Sequence, residues 1–322
     1  MIRKIAREIS SCATFLWSMK RLIKSSGHSM LFPFYHAVTD ENPIHIKNLY
    51  TPRGIQDFKN DLDFLLKNYQ SISLERLIAL KKSGEVVNEN YFHLTFDDGL
   101  SEFYEVVAPL LKEKKIHATV FLNSDFIDNK KLFFRFKASI LFEKLKDISI
   151  LKWSFLEEDL LDQLALKHGV DFDAYLTENK PYLTSSQIKE LIADGFTFGA
   201  HSSNHPLYKE LSLEQQIMQT KESLAVISSN FGLDYKVFSF PFTDDGVSIS
   251  FFDVISKETA LTFGCAGLKE DSVASNIQRI PMEGHSYNPL KGRAKSGQQI
   301  IKEEYLYCLL KAIVGKHKIV RK

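Results

Sequence analysis

The sequence predicts an α/β fold in which short buried strands alternate with helices. Seven apolar runs of strand length, rich in β-branched and aromatic residues, are separated mostly by stretches with helical spacing of apolar side chains. With 322 residues, of which 44% are hydrophobic, the chain can bury one large core. The predicted strands span residues 31–35, 92–96, 118–122, 196–200, 237–240, 261–266 and 277–280.

Two of the intervening helices show clear local signals. Phe58, Leu62, Leu65 and Leu66 recur at helical spacing and predict one apolar stripe facing the core. Ser73 is the predicted N-cap of the following helix. Between residues 125 and 182 the apolar pattern indicates a helical excursion, for which a substrate-shaping lid and a plain scaffold insertion are the two interpretations.

Two adjacent carboxylates follow the strand at 92–96. Successive side chains of a strand point in different directions, so Asp97 and Asp98 can take different tasks, one on a metal ion and one on a water molecule. Gly99 allows the sharp turn that follows and a close approach to the backbone. Taken alone, this pattern is also what an ordinary turn after a strand requires.

A pair of histidines follows the strand at 196–200. His201 and His205 are four residues apart, which places both rings on one side of a helical or tightly turned segment. Neutral imidazole is a normal zinc ligand. Because sites in parallel α/β folds gather at the carboxyl ends of the strands, the aspartates and histidines together indicate a divalent metal site with a base beside it.

At these residues the chain resembles the polysaccharide deacetylase family (carbohydrate esterase family 4, NodB-homology type). The family's motif TFDDG is matched by residues 95–99, and its motif H-[ST]-x-x-H by residues 201–205. Residues 31–38 and 108–122 are similar as well, so the resemblance covers about 31–285, with an enlarged connection at 125–182. It implies a distorted (β/α)7 barrel.

The resemblance also implies roles for the motif residues. Asp97 becomes the general base, and Asp98, His201 and His205 become ligands of one divalent metal ion. Zinc is the expected ion, with cobalt, nickel or another divalent ion as alternatives. Three protein ligands leave a position for water, whose pKa the cation lowers.

The third motif of the family departs from the pattern. Ser239 stands where an arginine that pairs with the base is expected. Arg279 is a candidate replacement, and a surface salt bridge is the alternative interpretation of that arginine. Pro241 and Phe242 are retained and predict a turn that presents the backbone N–H of Phe242 to an oxyanion.

The general acid of the family is a histidine in a Leu-x-His motif, which the sequence does not contain in clear form. His285 occupies about the right place in the chain, and His36, after the first strand, is the other candidate. Each is also consistent with a structural histidine. Asp244 and Asp245 repeat the Asp-Asp-Gly pattern, but a polar loop after proline explains them, with substrate contact as the alternative.

Charge and cysteine content bound the remaining possibilities. The net charge is +1, but both ends of the chain are basic. Residues 1–24 carry six Lys/Arg and one Glu, and residues 305–322 carry five Lys/Arg and no acidic residue, so the chain between them has a net charge of −9. We therefore expect an amphipathic N-terminal helix (1–30), a deacetylase barrel (31–290) and a C-terminal helix with a basic tail (291–322). The ends either pack together on the barrel or contact an anionic membrane surface.

Other features place the chain among cytoplasmic enzymes. Three widely spaced cysteines predict no disulfide framework, and no apolar run reaches membrane-spanning length. The N-terminal apolar segment is short for a signal peptide. We expect a cytoplasmic location, with the inner membrane surface as an extension, and no nucleic-acid partner, given the net-acidic body.

The expected function is metal-dependent hydrolysis of an acetyl group from an N-acetylated sugar of a cell-surface polysaccharide or its precursor. The partner is then an acetylated carbohydrate. One alternative is an O-acetyl sugar esterase, which uses the same metal and water chemistry. Another is a carbohydrate-binding pseudoenzyme, which the missing arginine motivates.

Overall fold

A parallel β-barrel forms the centre of the protein. The computed structural model describes residues 14–283, 287–288, 293–313, 315 and 317–322. Eight strands in one sheet make the barrel wall, and every pairing between them is parallel. They are β1 (Pro33–Tyr35), β2 (Leu94–Phe96), β3 (Ala118–Leu122), β4 (Thr197–Ala200), β5 (Val237–Ser239), β6 (Leu261–Gly264), β7 (Asn276–Gln278) and β8 (Ile280–Pro281).

The barrel closes through a strand that changes partner at Arg279. β7 pairs with β6, whereas β8, two residues later, pairs with β1. The N–H of Arg279 still donates to the carbonyl of Gly264 (3.2 Å), and the N–H of Ile280 donates to Phe32 (2.9 Å). All seven predicted chain segments therefore form the barrel, which confirms the predicted α/β-barrel fold, but the segment predicted at 277–280 is two strands.

Eleven helices of the described chain surround the barrel or extend from it, besides the four-residue helix Ile44–Lys47. We number them α1 (Met19–Ser26), α2 (Ile55–Asn68), α3 (Leu74–Ser83), α4 (Ala108–Lys114), α5 (Phe134–Leu145), α6 (Glu158–Lys167), α7 (Phe172–Asn179), α8 (Ser185–Ala193), α9 (Leu213–Phe231), α10 (Ile249–Ile255) and α11 (Gly297–Ile313). Short strand pairs outside the barrel join Met30–Leu31 and Gln70–Ser71 to Tyr91–Phe92, Glu270–Asp271 to Lys318–Ile319, and Tyr287–Asn288 to Arg293–Ala294.

Local sequence signals explain where the helices lie. Ser73 caps α3 by accepting a hydrogen bond from the N–H of Arg76 (3.2 Å), which confirms the predicted cap. Phe58, Leu62 and Leu65 on α2 are fully buried. Leu66 is 40% exposed, so its place in the predicted stripe was wrong: the next residue along a helix lies about 100° further round the axis.

The excursion between residues 125 and 182 has an apolar core of its own. Phe126, Phe136, Leu161 and Tyr182 belong to a buried cluster distinct from the barrel core. Its end is tied to the loop after β2, because the N–H of Leu183 donates to the carbonyl of Gly99 (2.9 Å). This packing fixes the excursion beside the carboxyl end of the barrel.

The chain ends meet along two helices. Met19, Leu22 and Ile23 on α1 are buried where this helix packs against α11. The C-terminal helix predicted within 291–322 is α11, which begins at Gly297; Ile301, Glu303 and Glu304 in its first half are buried. Residues 1–13 of the predicted N-terminal helix lie outside the described residues. Among the described helices, none combines the length and hydrophobicity needed to cross a bilayer.

Candidate active site

Asp97, at the carboxyl end of β2, is held by the guanidinium of Arg279. Nη1 of Arg279 donates to Oδ1 of Asp97 (2.8 Å) and Nη2 to Oδ2 (2.7 Å), a bidentate pair. The same guanidinium donates to Thr95 Oγ1 (2.9 Å), Ser239 Oγ (2.7 Å) and the carbonyl of Gly264 (3.1 Å). Burial alone raises the pKa of Asp97, but the charge of Arg279 outweighs it and the pKa is lowered, so Asp97 is ionised at neutral pH.

Arg279 is a buried residue and not part of a surface salt bridge. Its side chain is 1% exposed, and its guanidinium lies 4.4 Å from the ring centre of Phe34. The surface interpretation was therefore wrong, because the break between β7 and β8 turns this side chain into the barrel. The geometry puts a cation on Asp97 although Ser239 replaces the expected arginine.

Asp98, His201 and His205 converge next to this pair. Oδ1 of Asp98 lies 3.2 Å from Nε2 of His205 and 3.5 Å from Nε2 of His201, and all three residues are buried. One ligand atom from each can be chosen so that all lie within 4.8 Å of one another. Oδ1 of Asp98 has no hydrogen-bond partner among the described residues.

These residues fit a divalent metal ion. Nδ1 of His201 lies 2.8 Å from the carbonyl oxygen of Ser239, which fixes the proton there and leaves Nε2 as a lone pair facing Asp98. Burial lowers the pKa of His201 to about 4, so the ring is neutral, as a metal ligand must be. A carboxylate oxygen without a donor and two imidazole nitrogens are a donor set that zinc accepts.

The turn that carries the histidines is strained and tightly held. Ser202 and His205 adopt φ values of 67° and 63°, in the left-handed region that residues other than glycine rarely occupy. Ser202 Oγ accepts the N–H of His205 (3.0 Å), and Asn123 donates to the carbonyl of His201. Asp98 and Phe242, which also border the site, have φ values of 70° and 57°. Three of these four residues, Asp98, His205 and Phe242, line one cavity, which indicates a backbone shaped for a function.

His36 forms a second pair with Glu283. Nδ1 of His36 lies 2.7 Å from Oε2 of Glu283, which also accepts the N–H of His36 (2.8 Å), and Oε1 accepts the N–H of Ala37 (2.9 Å). Burial lowers the pKa of His36, but the hydrogen bond and the charge of Glu283 outweigh it and raise the pKa to about 9. The ring is 28% exposed, so this imidazole is a protonated group within reach of a ligand.

One cavity of about 640 Å³ joins these groups. Asp97, Asp98, His201, His205 and His36 all line it. Phe133, Arg135 and Phe242 are further lining residues, and the ring centre of Phe133 lies 4.5 Å from that of His205. The excursion therefore contributes side chains to the cavity wall.

The other predicted site residues have different places. Pro241 does not line the cavity; it is buried, and its carbonyl accepts the N–H of Thr243 (2.6 Å) in the turn that positions Phe242. His285 lies outside the described residues. Asp244 is buried against Asn276, Gln278 and Arg321, so its role is structural.

Sequence reasoning missed Glu283, Phe133 and Arg135. The signal for Glu283 was its position just after the last strand, at the edge where the aspartates and histidines also lie. Nothing local marks Phe133 or Arg135, because only the packing of the excursion brings them to the cavity.

The fold and the site together define a class of protein: a parallel barrel with a carboxylate pair and two histidines at its carboxyl edge, an arrangement suited to hydrolysis. A family profile described as polysaccharide deacetylase matches residues 84–249, which is 166 of the 322 residues. The chain belongs to the polysaccharide deacetylase family.

Several solved structures share this fold. The deacetylase PplD from Streptococcus pyogenes, in complex with acetate, gives a TM-score of 0.55 at 17% identity, covering 82% of this chain and 97% of that one. IcaB from Ammonifex degensii gives a TM-score of 0.57 at 15% identity, and the match covers 86% of this chain and 97% of that one. A de-N-acetylase from Aggregatibacter actinomycetemcomitans gives a TM-score of 0.51 at 15% identity, and the match covers 78% of this chain and 94% of that one. No curated protein matches the sequence significantly.

Proposed function

We propose that this deacetylase removes the acetyl group from an N-acetylated sugar of a cell-surface polysaccharide or its precursor, using one divalent metal ion. Family membership supports deacetylation of a polysaccharide. The convergence of Asp98, His201 and His205 supports the metal, with zinc as the expected ion. When bound, the ion supplies Lewis-acid polarisation of the carbonyl and lowers the pKa of water.

Asp97 acts as the general base. Its carboxylate is ionised. Its oxygen Oδ2 lies 4.0 Å from Nε2 of His201, so Asp97 is next to the three proposed metal ligands but is not one of them. The fork of Arg279 holds both its oxygens, so the carboxylate cannot rotate away. Asp97 takes the proton of the attacking water molecule as the water oxygen bonds to the acetyl carbon.

His36 acts as the general acid. Cleavage of an amide needs a proton on the leaving nitrogen, and a histidine with a pKa of about 9 holds one at neutral pH. Glu283 keeps the ring oriented through Nδ1, which leaves Nε2 to donate. The backbone N–H of Phe242, in a strained turn at the cavity, is the proposed donor to the oxyanion.

The observation that carries this proposal is the pairing of Arg279 with Asp97 beside the Asp98, His201 and His205 cluster. The pseudoenzyme alternative was motivated by the missing arginine, and Arg279 supplies the cation that Ser239 does not. A buried carboxylate and two histidines without a ligand would be costly to the fold.

The test is metal analysis of the purified protein, followed by acetate release from N-acetylated and O-acetylated oligosaccharides. We expect Asp97→Asn to retain the metal, because the three proposed ligands are unchanged, and to lose turnover by about 10²–10⁴-fold, because the proton acceptor is removed. We expect His205→Ala to lose both the metal and turnover. A fully active Asp97→Asn enzyme removes the proposed base. Acetate release from the O-acetylated sugars alone replaces the amidase by an esterase.

A further inference from the structure

One wall of the active-site cavity carries a cation that the proposed chemistry does not use. Arg135 lies in the first turn of α5, beside Phe133, and lines the cavity. Its Nε is buried and has no hydrogen-bond partner within the described chain. No carboxylate of the described residues lies within ion-pair distance of its guanidinium.

The buried arginines elsewhere in the described chain all bind a carboxylate. Arg53 pairs with Asp61 at 2.7 Å, and Arg279 pairs with Asp97 at 2.7 Å. Arg321, near the end of the chain, lies 2.6 Å from a carboxylate oxygen. Arg135, which is half-buried, has no such carboxylate partner in the described chain.

The position of Arg135 is unfavourable for the fold by itself. Burial lowers the pKa of Arg135, which reflects the cost of removing its charge from water. The first turn of a helix is the positive end of its dipole, and α5, of twelve residues, has no side-chain cap. Both effects oppose a cation there and both favour an anion that binds it.

The acids that line the cavity are already engaged or belong to the ligand cluster. Asp97 is bound by Arg279, Glu283 by His36, and Glu304 has an interaction of its own. Lys269, in the loop after β6, is another lining cation with no ion pair in the part of the chain described. Arg135 and Lys269 therefore offer a ligand positive charge in addition to the reacting groups.

We infer that Arg135 binds an anionic substituent, a carboxylate or a phosphate, on the glycan from which the acetyl group is removed. The guanidinium fork matches either group with two parallel hydrogen bonds. Since the acetylated sugar occupies the Asp98 and histidine end of the cavity, the anion lies on the part of the glycan that contacts the excursion. This inference rests on the proposed function and adds a substrate class to it.

The experiment compares three substrates: tetra-N-acetylchitotetraose, which is neutral, a hyaluronan tetrasaccharide, which carries carboxylates, and tetra-N-acetylchitotetraose bearing a phosphate ester. We expect Arg135→Met to lower kcat/KM about ten- to hundredfold for a charged substrate and to change it by less than about threefold for the neutral one. For a charged substrate, kcat/KM of Arg135→Lys, which keeps the charge without the planar guanidinium, should lie between those of the wild type and Arg135→Met. Arg76→Met, which removes an exposed arginine paired with Glu85, is the matched control.

Each outcome either supports or overturns the binding of an anionic group by Arg135. A loss confined to hyaluronan identifies the carboxylate, and one confined to the ester identifies the phosphate. An equal effect of Arg135→Met on neutral and charged substrates overturns the inference, as does a charged-to-neutral ratio of wild-type kcat/KM that is the same at low and high salt. That salt comparison needs no variant, so it decides even if Arg135→Met does not fold. Absence of acetate release from every substrate by the wild type refutes the proposed function instead.

Discussion

Replacing Arg279 tests the buried ion pair most directly. Asp97 and Arg279 are 3% and 1% exposed, and the guanidinium uses all five of its N–H groups. Removing one partner of such a pair costs about 3–5 kcal/mol, because the other charge stays buried without compensation. Ser239 Oγ lies 3.4 Å from Asp97 and can donate one bond, so we expect Arg279→Met to lose about 3 kcal/mol, at the lower end of that range.

Arg279→Lys separates charge from geometry. A lysine keeps the positive charge but donates from one nitrogen, so it cannot hold both oxygens of Asp97 together with Ser239. At about 1 kcal/mol for each lost hydrogen bond, we expect a loss of roughly 1–2 kcal/mol. Because Asp97 is then less well oriented, kcat/KM should fall at least about tenfold in the lysine variant and about hundredfold in Arg279→Met.

The assays are urea unfolding at fixed metal saturation and acetate release on the same preparations. Metal saturation is held constant because a bound ion adds its own stability. Arg76→Met is the control: its ion pair with Glu85 is exposed, so its loss should change stability by no more than about 1 kcal/mol. If Arg279→Met is as stable and as active as this control, the buried pair does not hold the base, and the reasoning fails.

Three further changes have defined outcomes. Gly99→Ala should destabilise by roughly 2–5 kcal/mol in urea unfolding, because φ is +63° and the new Cβ would lie 2.6 Å from a methyl of Leu122; Gly84→Ala, at φ +67° in open space, should cost only about 1–2 kcal/mol. The alkaline limb of kcat/KM should follow deprotonation of His36, whose pKa Glu283 raises to about 9 and a bound cation would lower, and Glu283→Gln should move that limb to lower pH; an unmoved limb rules out His36 as the acid. Arg321→Met should lower stability by about 3 kcal/mol in urea unfolding, because its guanidinium is buried against two carboxylates; a change under about 1 kcal/mol contradicts this.

The sequence alone determined much of the scaffold. Seven apolar runs became the wall of the barrel, because strand length and β-rich composition are local properties. Asp97, Asp98, His201 and His205 were predictable as a group, since both pairs lie in segments that follow strands and parallel strands end at one edge.

Only the tertiary structure decided which charges meet. Arg279 was one candidate partner of Asp97, but the two are 182 residues apart, and nothing near either one indicates that a strand break will aim the arginine into the barrel. Glu283 and His36 are 247 residues apart and meet because β8 closes the barrel against β1. Arg135 reaches the cavity through the packing of an excursion whose apolar pattern predicts helices but not their direction. A strand or a cap depends on neighbours in the chain, whereas an ion pair depends on how distant segments pack, which no local pattern encodes.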